Sequence, residues 1–561
     1  MARNIGRREF VSRGVAATVG AAIYPLSRIR VTPSFDLVIS NGTILDGTGG
    51  PPWQADLGLV GDSITAIGEI GPEQGRRVVD ASGLHVAPGF IDIHSHSDQT
   101  IFAYPTADSR VRQGITTEVT GNCGSSAAPL EGLDVEERRA NLAEETGVPV
   151  TWNGIASYFD TLEQLGLSIN QAFLVGQGTL RRNVAGLEDR PLTADELAAV
   201  IRALEQGMDE GAFGLSTGLE YAPGMFTPTD EIVELASVVA RRGGLYASHI
   251  RDEEAGLLDA VDEAIRVGRR TGVRVEIAHL KAAGRANWGK QRAALNLVEA
   301  ARRDGVQALA DAYPYTAYST SLTIFLPPWA LAGGWPRLEQ RLNDPADRAR
   351  IRADLISRVE MDPGGFDRIV ITSTRSAANR AVVGMNLKEI ATSWQLSPAD
   401  ASLRLIVEEQ GSVGMVGYGM SENNVEMVLS HPLVMIGSDG SSVAPTGKAA
   451  EARPHPRYYG TCARVLAHYC RERQLFDLRT AVRKMTSMPA DQAGIRDRGR
   501  IARGKRADLV VFSAERVKDE ATFAEPHRFA TGIEYVLVNG EFVVDGGQHT
   551  GGRPGRILRM S

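Results

Sequence analysis

A (β/α)8 barrel is the fold this sequence predicts, carried on a small β-sandwich built from both chain ends. Three observations predict it. Eight short apolar, strand-like runs recur through the centre, at 90–93, 116–120, 172–175, 212–215, 244–247, 273–278, 306–310 and 433–436. Helical patterns with apolar residues at i, i+3 and i+4 fall between several of them, at 195–210, 230–242, 257–270 and 290–303. Alternating β segments with tight turns occupy the two ends. Strand–helix repetition at this count favours a closed parallel barrel. A doubly wound open sheet is the alternative.

In chain order, residues 1–30 carry Arg7-Arg8-Glu9-Phe10 and then a small, weakly apolar run. That pattern predicts a twin-arginine-type export signal and a periplasmic protein, with cleavage near residues 21–27. A disordered basic tail on a cytoplasmic protein is the alternative. Residues 31–87 form the first part of the sandwich, and Asn41-Gly42 reads as a hairpin turn. The barrel spans 88–500, with an insertion at about 319–430 long enough to be a lid or binding segment. A smaller insertion lies at 130–166. Thr193 with Glu196, and Thr229 with Asp230 and Glu231, supply helix-start signals. Gly211, Gly243 and Gly272 supply helix ends. Residues 501–561 complete the sandwich, with a second Asn-Gly turn at Asn539-Gly540.

Composition narrows the partners. The formal net charge of -7 over 561 residues argues against nucleic acid. No run of about 20 apolar residues exists to insert stably in a membrane. Three cysteines exclude a disulfide scaffold, and Cys462 and Cys470 read as buried small apolar residues. The sequence carries no signal of oligomeric state.

The chemistry gathers at strand ends. His94 and His96 follow the first apolar run, and i, i+2 spacing puts both imidazoles on one side of a strand. Cys123 follows the second run, His249 ends the fifth, His279 the sixth and Asp439 the eighth. In a barrel those ends meet at one face. Four imidazoles, a thiol and a carboxylate favour zinc over calcium or magnesium. Their number predicts two adjacent zinc positions, or one tight site with a weaker neighbour; His94 and His96 read as holding the more exposed metal, opposite a tighter site at Cys123, His249 and His279. A metal there lowers the pKa of a bound water to about 7. Asp439 is then the catalytic group that takes the water's proton and returns it to a leaving amine.

These residues resemble the amidohydrolase superfamily and, within it, the N-acyl-D-amino-acid deacylases (D-aminoacylases). The motifs are Ala87-Pro88-Gly89-Phe90-Ile91-Asp92-Ile93-His94-Ser95-His96, Gly121-Asn122-Cys123-Gly124, Gly214-Leu215-Ser216-Thr217-Gly218-Leu219-Glu220-Tyr221, His249-Ile250-Arg251-Asp252-Glu253, Ala278-His279-Leu280-Lys281, Ile436-Gly437-Ser438-Asp439-Gly440 and His455-Pro456-Arg457. The resemblance runs from about residue 35 to 548. Many relatives bridge their metals with a carboxylated lysine, but here no lysine precedes Lys281. That leaves Cys123, or a glutamate such as Glu118 or Glu220, as the bridge. Cys123 is favoured by its place in a Gly-flanked turn. The resemblance also implies that Arg457 holds a substrate carboxylate, that Lys281 and Tyr221 assist it, and that Tyr313 lines the same pocket. The remaining histidines, His455 among them, read as structural.

The expected activity is zinc-dependent removal of the acyl group from a small N-acyl-D-amino acid. The D preference comes from the resemblance alone. A cyclic amide or dipeptide substrate is one alternative, and a non-catalytic exported metal-binding barrel is another.

Overall fold

The computed structural model describes residues 34–560. The export-signal prediction lies outside the described residues. Within them, all eight predicted runs are strands: β1 Phe90–Asp92, β2 Ile115–Thr120, β3 Asn170–Gly176, β4 Gly214–Gly218, β5 Leu245–His249, β6 Arg274–Ile277, β7 Ala308–Ala312 and β8 Val434–Ile436. Each is hydrogen-bonded in parallel to its sequence neighbour, from β1 through to β8. An open doubly wound sheet would reverse that order at a switch point. The seam between β8 and β1 closes beyond the strands. There Asp439 N donates to His94 O at 2.8 Å and His96 N donates to Gly440 O at 2.8 Å.

Both faces of the strands are buried, which is why they read as nearly continuous apolar runs. Period-two alternation still sorts the side chains. In β3, Ala172 and Leu174 point into the barrel with Ile91, Ile93, Leu245 and Met435. Phe173 and Val175 belong instead to the outer cluster, with Val200, Leu204, Ile232 and Val261 of the helix layer. Met488, Ala490, Ala493 and Ile495 pack with the interior residues, so the barrel is a filled core.

The helix at Ala194–Asp209 begins with a full capping box between Thr193 and Glu196. The next helix starts where expected, with Asp230 and Glu231 in its first turn, but Thr229 is not its cap. Pro228 occupies the cap position of Thr229–Arg241, and Thr229 Oγ1 donates to Glu263 instead, at 2.6 Å. A residue already inside the first turn has its hydroxyl free for a tertiary partner.

Both chain ends share one nine-stranded sheet. His85–Pro88 pairs in parallel with Phe35–Ile44 and antiparallel with Leu509–Phe512. Leu37, Ile39, Leu57, Leu509, Val511 and Leu537 form its separate core. Asn539-Gly540 makes the predicted turn between Ile533–Val538 and Glu541–Asp545. Asn41-Gly42 does not. Phe35–Ile44 runs straight through it, with a bulge that absorbs the positive φ of Asn41.

The insertion after β7 has its own three-stranded antiparallel sheet, Tyr318–Ser321, Ile369–Thr374 and Val413–Gly417. Leu355, Ile371, Leu403 and Met415 belong to its own core. Its first strand lies over the mouth of the barrel and brings Tyr318, Ser319 and Thr320 to the wall of a cavity there.

Candidate metal centre

The candidate ligands all stand at or just past the C-terminal ends of β1, β2, β5, β6 and β8. Cys123, His279 and Asp439 have φ of 51°, 35° and 50°. Non-glycine residues seldom take that backbone, which costs about 1–3 kcal/mol each. The kink turns each side chain off its strand's alternation and over the barrel axis. Cys123 also depends on its flanking glycines: a Cβ at Gly124 would stand 2.5 Å from Gly218 N, and one at Gly121 would stand 2.0 Å from Leu174 O.

Cys123 Sγ lies 3.3 Å from His94 Nε2 and 3.6 Å from His279 Nε2. Asp439 Oδ1 is 3.0 Å from His96 Nε2 and 3.6 Å from His94 Nε2. Two donor sets result, each with its ligand atoms within 4.8 Å of one another. One is His94, His96, Cys123 and Asp439; the other is Cys123, His249 and His279. Cys123 belongs to both.

The outer nitrogens show that these donors suit a metal. His94 Nδ1 is held by Asp311 at 3.2 Å and His279 Nδ1 by Glu253 at 2.8 Å, so each Nε2 faces the thiol. His249 Nε2 lies 3.1 Å from Glu220, while its buried Nδ1 has no hydrogen-bond partner among the described residues. Carboxylates behind metal-ligating imidazoles fix ring orientation and raise basicity. Nitrogen and sulfur donors at this spacing suit zinc.

The charges agree. Burial alone would push the Cys123 thiol up, but the His94 charge first, and then the neighbouring His249 and His279 imidazoles, bring it well below the ordinary thiol range. Burial likewise opposes protonation of His94, and the Asp311 and Cys123 charges overcome it. In the metal-free chain, protons on imidazole balance the thiolate; metal binding exchanges them for a cation. Glu118, one of the bridge candidates, is excluded. It is buried against Arg110 Nε at 2.7 Å and Ser95 Oγ at 2.8 Å, in a network that also holds Asp92. Glu220 stands behind His249.

Asp439, Lys281, Tyr221 and Tyr313 line one cavity of about 370 Å³. Arg457 packs against the Tyr313 ring, 4.8 Å from its centroid, and its Nη1 lies 3.0 Å from Asp439 Oδ2. Its Nε and Nη1 nevertheless make no hydrogen bond. Burial would raise the Asp439 carboxyl; Arg457 first, then His96, hold it well below the usual range. His455 accepts from Arg457 N at 3.0 Å through Nδ1, so its structural role is to seat that arginine. Lys281 is committed within the protein, donating to Glu253 at 2.6 Å and lying 3.0 Å from His279 Nδ1. Tyr221 OH is 3.2 Å from Thr320 Oγ1 of the insertion.

Sequence reasoning missed Asp311 and Glu253. Asp311 carried a faint signal, as an acidic residue inside the apolar run of β7. Glu253 follows β5 in a mixed-charge stretch with no spacing to mark it.

The chain resembles known proteins over most of its length. Residues 77–320 and 391–544 match the Amidohydrolase family. Over 93% of the chain, it is 39% identical to an N-acyl-D-glutamate deacylase and 37% identical to a D-aminoacylase, both of Alcaligenes xylosoxydans xylosoxydans, covering 96% and 97% of those proteins. A crystal structure of N-acyl-D-glutamate deacylase from Bordetella bronchiseptica, complexed with zinc and a phosphonate inhibitor, superposes with a TM-score of 0.80. It shares 37% identity and covers 94% of this chain and 100% of its own. A D-aminoacylase described as having a binuclear metal centre superposes at 0.79 with 35% identity, covering 94% of this chain and 100% of its own.

Proposed function

The chain belongs to the amidohydrolase family, and from that premise we propose that it hydrolyses N-acyl-D-amino acids to a carboxylate and a free D-amino acid. One observation carries the substrate assignment. Arg457 sets its guanidinium beside Asp439, Nη1 3.0 Å from Oδ2, at the edge of the shared thiol cluster, and its buried Nε makes no hydrogen bond among the described residues. An acyl amino acid needs its free carboxylate held beside the scissile amide, and a guanidinium fork suits that task. A cyclic amide has no such carboxylate.

Cys123, His249 and His279 would hold zinc tightly; His94 and His96 with Asp439 would hold a second, weaker metal. Bound zinc supplies Lewis-acid polarisation of the amide carbonyl and activation of water. The chain's own residues do the rest. Asp439, held ionised by Arg457, accepts a proton from the attacking water and delivers it to the leaving nitrogen. Tyr221 and Tyr313 wall the amino-acid half. Lys281 acts by holding Glu253 against His279, which extends the sequence expectation of direct substrate contact.

The test is amine release from a panel of N-acetyl-D- and L-amino acids with zinc-loaded protein. Release from D substrates is expected, and Arg457→Ala should raise KM strongly. No release from any member would sink the deacylase assignment. Export is proposed on Arg7-Arg8 alone: replacing both with lysine should strand the protein in the cytoplasm, and normal export of that variant would refute it.

A further inference from the structure

A second cavity, of about 280 Å³, has Cys123 in its wall. Gly218 and Tyr221 line it too; it shares only Tyr221 with the first cavity, so it meets the metal centre at Cys123 and not at Asp439. Its outer wall carries Arg138, from the helix Val135–Thr146, and Arg182, from the helix Gln177–Ala185. Among the described residues, neither guanidinium makes an ion pair. Arg138 Nη1 donates to Asn183 Oδ1 at 2.5 Å and, more weakly, to Glu131 O at 3.5 Å. The Arg182 side chain donates no hydrogen bond among the described residues, and its Nε is buried without a partner. Glu145 lines the same cavity but is not within ion-pair distance of either arginine. Burial, and then the Arg182 charge, bring Arg138 down to about 10, so the two cations face the same space.

Two half-buried arginines left without a carboxylate are costly to the free protein. A ligand carboxylate would satisfy both. This inference rests on the deacylase assignment, which places the amino-acid half of the substrate with Arg457 and the scissile carbonyl at Cys123. The acyl half must then extend the other way. We propose that the second cavity is an acyl subsite that selects acyl groups ending in a carboxylate, such as succinyl or glutaryl, with Arg182 and Arg138 as its specificity residues. Hydrolysis adds water across the amide: the oxygen leaves in the dicarboxylate and a proton goes to the amine.

The experiment compares kcat/KM for N-succinyl-, N-butyryl- and N-acetyl-D-methionine with zinc-loaded protein. N-succinyl should exceed N-butyryl by about ten- to hundredfold, the worth of one or two hydrogen bonds to a charged group. In Arg182→Met and Arg138→Met that ratio should fall to about one, and Arg182→Lys should restore part of it. Succinate should inhibit the unmodified protein competitively at lower concentration than butyrate, a measurement that needs no variant. Cleavage of N-acetyl and N-butyryl substrates with no succinyl advantage overturns the subsite and leaves the deacylase assignment standing. Cleavage of none of the three overturns both. A preference for N-acetyl-D-glutamate over N-acetyl-D-glutamine that disappears in Arg182→Met would also overturn it, because the cavity would then take the amino-acid side chain.

Discussion

The two walls that meet at Cys123 are built from similar parts and set at different depths. On one side, His249 and His279 have 4% and 2% of their side chains exposed. Glu220 and the Glu253–Lys281 pair stand behind them. On the other side, His94 is fully buried, but His96 is 31% exposed and shares Asp439 with it. The inner wall spends its carboxylates on orienting imidazoles. The outer wall has Asp311 orienting His94, but it turns its second carboxylate, Asp439, toward the substrate cavity and gives it to Arg457. A ligand that must also carry protons makes a poorer permanent anchor. That division is the physical reason for proposing one tight and one weaker zinc position around a common thiolate.

Five changes would break or sharpen this contrast. The largest effect is expected from Cys123→Ala, which removes the donor common to both walls. Zinc content by mass spectrometry should fall toward zero and activity with it; full metal content and rate would end the bridging role. Next, Asp439→Asn should lower kcat by about 10²–10⁴-fold while the inner zinc stays bound. Loss of all zinc in that variant would mean that the outer carboxylate anchors the centre after all. Glu253→Gln should weaken the tightly held zinc by about 10–100-fold in a chelator competition, and Asp311→Asn should weaken only the more readily removed zinc. Equal effects on both would erase the distinction between the walls. The smallest effect on rate is expected from His96→Ala, which should leave one zinc per chain and an active enzyme. An inactive one-zinc protein would show that the outer metal is needed for turnover.

The same contrast marks what the sequence could show. Ligands at strand ends were legible because the barrel's period places every strand terminus on one face. No geometry had to be known for His94, His96, Cys123, His249, His279 and Asp439 to converge. The orienting role of the carboxylates behind them was not legible, because Asp311, Glu220 and Glu253 take it only from the partner that folding brings beside them. The committed state of Lys281 was hidden for the same reason. Local signals failed where two structures satisfy them equally. Asn41-Gly42 and Asn539-Gly540 both need positive φ; one meets it in a bulge and the other in a turn. The acyl-side arginines lie on helices whose pattern marks them only as surface charge, and the vacant space between them appears only in three dimensions.

The barrel's closing seam has a consequence for how the protein comes to be made. His96 and Asp439 are 343 positions apart, and the hydrogen bonds joining their segments both close the barrel and assemble the outer wall. Contacts at such separation are entropically late and slow to form. A nascent chain still short of residue 440 therefore has the inner wall, Cys123, His249 and His279, but no outer wall and no proton carrier. Metal capture at the inner wall should precede catalytic competence during synthesis. Pulse-labelled hydrogen exchange on the refolding protein would show it: protection across β3 to β6 should appear before protection at Asp439 N and His96 N. Simultaneous protection would mean that the barrel forms as one cooperative unit.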